Sequence, residues 1–284
     1  MHLSDIYIRD PYILYCNGVY YMYGKEYLEQ REFVVYNSSD LKEWCGPKKV
    51  FTPDEKFWAD RDFWAPEVHF YNGKYYMIAS FKSETKRRGS HIMVSDSPDG
   101  EFVPISDKPI TPEEWEALDA TLYIDRFGKP HIVFCHEWLQ VGNGTVCEML
   151  VSDDFTQAIS EPRVLWSAGD SNDAVNIDPH RESLITDGPF MHRLKSGELI
   201  CTWSTFTKSG YSVLIARSDN GDIDGKWSVD EKPLIEENGG HGMIFKSHDG
   251  NRIFVMHSPN IDGLERATLY QLHEKDNTIV LEKL

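Results

Sequence analysis

The sequence predicts an all-β protein, a five-bladed β-propeller with four-stranded antiparallel blades. Three observations carry that prediction. Aromatic, alternating runs pair across tight turns; the pairs return five times along the chain; and helical periodicity is nearly absent.

The first pair opens on Ile8-Arg9-Asp10-Pro11-Tyr12, turns at Asn17-Gly18 and returns as Val19-Tyr20-Tyr21-Met22-Tyr23. Asn-Gly between two such runs is a strong hairpin signal, and Pro11, which cannot donate to a ladder, suits a strand start. The second opens on Trp64-Ala65-Pro66-Glu67 and turns at Asn72-Gly73; the third opens on Asp119 and turns at Phe127-Gly128. The fourth opens on Asp187-Gly188-Pro189 and turns at Ser196-Gly197; the fifth opens on Gly240-His241-Gly242 and turns at Asp249-Gly250. The polar residues at these openings, Asp10, Glu67, Asp119, Asp187 and His241, are 57, 52, 68 and 54 residues apart.

A third run follows each hairpin: Phe33–Tyr36, His91–Asp96, Glu148–Asp153, Val213–Asp219 and Ala267–Leu272. The first four end at or near Ser-Asp, and an aromatic follows each of those turns: Trp44, Phe102, Trp166 and Trp227. Each unit thus reads as three strands and an outer fourth, one propeller blade. The single helical expectation is Thr111–Leu118, with a threonine cap and Pro112 at the first helical position. A β-sandwich also gives many short strands, but has no need of a polar residue at the same point of every unit. A propeller can use one, because its innermost strands start around one mouth.

The 284 residues read as one propeller domain over 1–284, and 40% hydrophobic with 26% charged residues is ordinary for a globular protein. A net charge of -17 argues against nucleic acid and anionic membrane as partners, and leaves neutral oligosaccharides or polysaccharides open. No apolar run reaches the length of a membrane span. No basic-then-apolar leader precedes Asp10, so the chain reads as cytoplasmic; a leader removed on export would leave the same sequence. The five cysteines are expected as buried free thiols. Asn220–Gly225 with Glu231 has most of the spacing of a calcium loop but lies between strands, and reads as an acidic turn.

Asp10, Asp119 and Asp187 are expected to meet at the mouth. Converging carboxylates raise one another's pKa, a cost that glycoside hydrolysis turns to use. There one carboxylic acid protonates the leaving oxygen and one carboxylate activates water, roughly 6.5–9.5 Å away when configuration inverts. The aromatic residues Phe63, Trp64, Trp138, Phe190 and Trp203, with Arg193, lie near the openings and suit the apolar faces of sugars. Glu67 and Arg9 are placed to hold hydroxyls or neighbouring carboxylates. Packing between blades is the competing reading, strongest for Phe190 and Trp203.

The openings Arg9-Asp10-Pro11, Trp64-Ala65-Pro66-Glu67, Leu118-Asp119-Ala120, Thr186-Asp187-Gly188-Pro189 and Gly240-His241-Gly242 resemble those of glycoside hydrolase family 43, in order and over nearly the whole chain. The resemblance implies a five-bladed, inverting enzyme for α-L-arabinofuranosidic, β-D-xylosidic or galactosidic bonds, working from the non-reducing end. It implies Asp10 as general base, Asp119 as the carboxylate that tunes the acid, and no required cofactor. It also implies that His241 helps to hold a hydrated structural calcium ion in the central channel. Asp187 stands where the family usually has a glutamate as general acid, one methylene longer, which leaves Glu137 as a substitute acid. A different reaction on the same scaffold (glycoside phosphorylase or fructan hydrolase) and a non-catalytic sugar-binding propeller are the alternatives.

Overall fold

In the computed structural model, residues 1–26 and 30–284 are described, and they form five antiparallel sheets of four consecutive strands each. The first blade comprises β1 (Arg9–Cys16), β2 (Val19–Lys25), β3 (Phe33–Ser38) and β4 (Cys45–Phe51). The second comprises β5 (Arg61–Tyr71), β6 (Lys74–Lys82), β7 (Gly89–Ser95) and the two-residue β8 (Val103–Pro104). The third has β9 (Ala117–Ile124), β10 (Pro130–His136), β11 (Thr145–Leu150) and β12 (Arg163–Ser167). The fourth has β13 (Asp187–Arg193), β14 (Leu199–Thr207), β15 (Gly210–Ser218) and β16 (Trp227–Val229). The fifth has β17 (Gly240–Lys246), β18 (Arg252–Ser258), β19 (Arg266–Lys275) and β20 (Thr278–Lys283).

The turn chemistry behaves as the sequence requires. At both Asn-Gly hairpins the two central residues take positive φ, Asn17 and Gly18 at 50° and 83°, Asn72 and Gly73 at 47° and 82°. Those angles match the twist of the flanking strands and bring Cys16 opposite Val19 and Tyr71 opposite Lys74. Between the blades, Trp166 lies 6.1 Å from Trp203 and 5.1 Å from Trp227, so Trp203 is packing, not site.

Two expectations are corrected. Residues 111–116 form a turn instead of a helix, because Glu116 is drawn into the sheet: Arg88 N–H donates to its carboxylate (2.9 Å), and the next N–H, from Ala117, bonds Arg88 O (3.0 Å). Trp115 instead stacks on His136, with ring centroids 4.0 Å apart. The thiols of Cys135, Cys147 and Cys201 are free and buried, but Cys16 is half-buried and Cys45 is exposed at the start of the outer strand β4.

Among the described residues no strand passes between the first blade and the fifth, so the ring is closed by contacts across their seam. Ile8 N–H donates to Glu265 O (3.2 Å), Arg266 Nε to Ser4 O (3.0 Å), and Arg9 Nη1 pairs with the fully buried Glu265 carboxylate at 2.9 Å.

Candidate active site

Each innermost strand slips register near its start, between Arg9 and Tyr12, Trp64 and Glu67, Asp187 and Phe190, Gly240 and Met243, and in β9 opposite Val133–Cys135. Such bulges bend a strand and re-aim its side chains. One residue at each slip has positive φ: Asp10 (51°), Ala65 (47°), Asp119 (55°), Gly188 (50°) and His241 (51°). Four of these are not glycine, and a strained backbone of this kind costs of order 1–3 kcal/mol per residue unless its surroundings hold it.

The bulges also correct the sequence alignment. Asp10, Asp119 and His241 are equivalent, but Asp187 precedes its bulge residue and takes the place of Arg9 and Trp64. Glu67 follows its bulge residue Ala65 by two, in the place of Tyr12 and Phe190. The five polar openings therefore occupy three levels of the ring, not one.

A cavity of about 390 Å³ opens at the bulged ends. It brings together Asp10, Asp119, Asp187, Glu137, Arg9, Trp64, Trp138 and His241 of the expected residues, and adds Lys25, Tyr211, Ile177 and Ile185. Five expected residues lie elsewhere: Trp203 packs between blades, and Phe63 is buried against Phe33, Phe51 and Phe81. Glu67 sits deeper, paired with His69 Nε2 at 2.9 Å, and Phe190 packs edge-on against Tyr12 there (6.5 Å). Arg193 is six residues past Asp187, roughly 20 Å along a strand. At that far end it binds Tyr123 OH (2.5 Å) and Asp222 (3.4 Å), so the Asn220–Gly225 segment is an ion-paired turn.

Their surroundings shift the carboxylates in the cavity in opposite directions. Burial would push Asp10 up, but His241 Nδ1 at 3.4 Å, His257 Nδ1 at 3.1 Å and Arg9 Nε at 3.8 Å hold it well below the usual carboxylate range. Asp187 is driven the other way, to about 7, by burial first and by the charge of Asp119 second. Its Oδ2 accepts a hydrogen bond from Tyr211 OH at 3.0 Å. Asp119 is raised by burial, opposed by His241; its carboxylate accepts Gly188 N–H (3.1 Å), and its own N–H donates to Ser80 Oγ (2.8 Å). Burial would lower His241, yet the carboxylates of Asp10, Asp119 and Asp187 raise it.

Two glycines make this packing possible. A Cβ on Gly240 would lie 2.4 Å from Cε1 of Tyr211, and one on Gly188 would lie 2.7 Å from Cγ of His241. The walls are aromatic. Trp64 carries the Arg88 guanidinium 3.8 Å from its ring centre, and Trp138, in the one-turn helix α1 (Trp138–Val141), carries Arg181 at 4.6 Å. Arg88 also ties Asp62 (3.0 Å) to Glu137 (3.2 Å). Glu137 therefore reaches the cavity as half of an ion pair, although burial raises its pKa against that pull.

His241 Nδ1 faces the carboxylates of Asp10 (3.4 Å) and Asp119 (3.6 Å), and among the described residues no group of three or more acidic, His or Cys side chains could hold a metal ion by itself.

The model of glycosyl hydrolases family 43 matches residues 5–277. The crystal structure of an endo-arabinase from Bacteroides thetaiotaomicron superposes with a TM-score of 0.93 at 34% identity, covering 98% of each chain. Extracellular endo-alpha-(1->5)-L-arabinanase 1 of Bacillus subtilis is 29% identical over 147 residues, 48% of this chain and 45% of that protein. An endo-1,4-beta-xylanase structure from Bacteroides thetaiotaomicron shares the fold, with a TM-score of 0.80 at 22% identity over 98% of this chain and 94% of the other.

Proposed function

This chain belongs to family 43 of the glycosyl hydrolases, and on that footing we propose that it cleaves α-1,5-linked L-arabinofuranosyl chains internally, instead of from the non-reducing end as the sequence alone suggests, and with inversion. The observation that carries the chemistry is the pairing, in one cavity, of a carboxylate held ionised with a carboxylic acid held protonated up to about pH 7. Asp187 gives its proton to the glycosidic oxygen as the bond from that oxygen to the anomeric carbon breaks. Asp10 takes a proton from the water whose oxygen bonds the same carbon from the opposite face, which inverts configuration. Each turnover leaves Asp10 protonated and Asp187 ionised, and exchange with solvent resets both. Asp119, whose charge favours the protonated form of Asp187, tunes the acid, and Trp64 and Trp138 offer flat walls to the C–H faces of the sugar. Arabinan is favoured over xylan because the similar proteins above 25% identity are named for arabinan, whereas the xylanase likeness extends to the fold alone.

The test is incubation with linear arabinan, xylan and levan, with and without phosphate, following released reducing ends and the first-formed anomer by NMR. We expect arabino-oligosaccharides from arabinan, released first as the β-anomer. A sugar phosphate would make the enzyme a phosphorylase, an α-anomer a retaining enzyme, and tight binding without release a sugar-binding propeller.

Tyr211→Phe tests the placement of the acid. The tyrosine hydroxyl donates to Asp187 and so favours its ionised form. Without it Asp187 titrates higher, and the alkaline limb of the pH–rate profile moves up by about one unit. Turnover at pH 6 falls by about tenfold, because the short aspartate loses the contact that aims it.

No helix among the described residues is long and apolar enough to cross a membrane. We place the enzyme in the cytoplasm, a location that its free, unpaired thiols fit.

A further inference from the structure

The cavity holds one cation that the proposed chemistry does not use. Lys25 closes β2 directly opposite Arg9 of β1, lines the cavity and is 2% exposed. Its Nζ has no hydrogen-bond partner among the described residues. The charged groups around it are Asp62, Asp10, Arg88 and Arg9, and each of these already has a partner. Arg9 is paired with Glu265 (2.9 Å), Asp62 with Arg88 (3.0 Å), and Asp10 with His257 (3.1 Å). Burial accordingly drives the Lys25 ammonium down to about 8.

A buried ammonium that makes no hydrogen bond carries the full desolvation cost of its charge. It is also a like charge opposite Arg9 across the ladder, which weakens a sheet. A methionine of similar length would avoid both costs, so the position is explained by something that enters the cavity. The neighbouring acids decide what that is. An anionic ligand would face Asp10 and Glu137, whereas a sugar hydroxyl can accept from Lys25 while donating to a carboxylate.

We infer that Lys25 is a specificity-determining residue that donates hydrogen bonds to ring hydroxyls of a neutral furanosyl unit held in the cavity beside Asp10. The inference rests on the proposed binding of arabinofuranosyl chains. A site that reserves a buried donor for a hydroxyl rejects the analogue lacking it much more strongly than an apolar pocket rejects an extra group. The cavity thereby excludes chains whose hydroxyls at that point are substituted.

The experiment is a cycle in which enzyme and ligand are both altered. Calorimetry measures arabinotriose and its monodeoxy forms against wild type, Lys25→Met and Lys25→Arg, with circular dichroism and melting to confirm that each variant is folded. One deoxy position is expected to cost wild type about ten- to a hundredfold in Kd. The same position should cost Lys25→Met less than about threefold, because the donor is already gone. Lys25→Arg, which keeps the charge but puts a longer, planar fork in place of the compact ammonium, is expected to bind arabinotriose more weakly than wild type. Equal deoxy penalties in wild type and Lys25→Met, with arabinotriose still bound, overturn the role of Lys25 and leave the substrate reading intact. Failure of wild type to bind arabinotriose overturns both. Tighter binding of a uronic-acid-bearing oligosaccharide, lost in Lys25→Met, overturns the hydroxyl assignment in favour of an oxyanion site.

Discussion

Asp10→Asn is expected to lower the hydrolysis of linear arabinan by about a thousandfold while leaving the blades folded and oligosaccharide binding within a few fold. The reason lies in what surrounds the carboxylate. With His241, His257 and Arg9 all within 3.8 Å, Asp10 stays ionised at every pH at which the protein works, so it is available as a base and never limits the rate in acid. Asparagine keeps the shape and cannot accept the proton of water. The measurement is the rate of reducing-end release beside the affinity for arabino-oligosaccharides. A variant that binds normally and cleaves at the wild-type rate would remove Asp10 from the reaction.

Asp187→Asn is expected to lose about as much on arabinan, but the loss should depend on the leaving group. A dinitrophenyl arabinofuranoside departs without a proton, so on any such substrate the wild type accepts, the variant should retain most of the rate. In the wild type the limb that this group controls falls as pH rises through about 7, since the acid must be protonated to act. The same shift has a consequence for stability. The folded-state value lies above the ordinary carboxyl value, so the protonated form is the one the fold favours. That contribution is intact in acid and is lost as pH climbs through about 7. The amide of the variant carries no such charge, and Asp187→Asn should therefore melt higher than wild type at pH 8 and show little difference at pH 4. A substitution that disables an enzyme and stabilises it is the mark of a strained functional group. Equal melting at pH 8 would mean that Asp187 is not held protonated by its surroundings.

The blades are legible in the sequence because their signals are local. Asn17-Gly18 and Asn72-Gly73 dictate turns by backbone geometry, and alternating runs show which residues face the core. The convergence of Asp10, Asp119 and Asp187 follows from the repeats. What fails is counting across bulges: a slip of one or two residues moves a side chain to another level, which is why Glu67 reads as a residue of the mouth and lies below it. Arg193 can be rejected from strand rise alone. Tyr211 and Lys25 escape the sequence reading because they come from β15 and β2, and no repeat marks the strand positions that look toward the mouth. One signal exists for Lys25. Pairing across the Asn17-Gly18 turn brings the end of β2 level with Arg9, and so places a lysine beside the first opening.

The seam between the first and fifth blades ties the closure of the ring to its chemistry. Among the described residues no strand is shared across it, and Arg9 both pairs there with the buried Glu265 and lies against Asp10. One guanidinium thus serves the join and the base together, so a substitution at Glu265 is felt at the carboxylate that activates water as well as in the architecture.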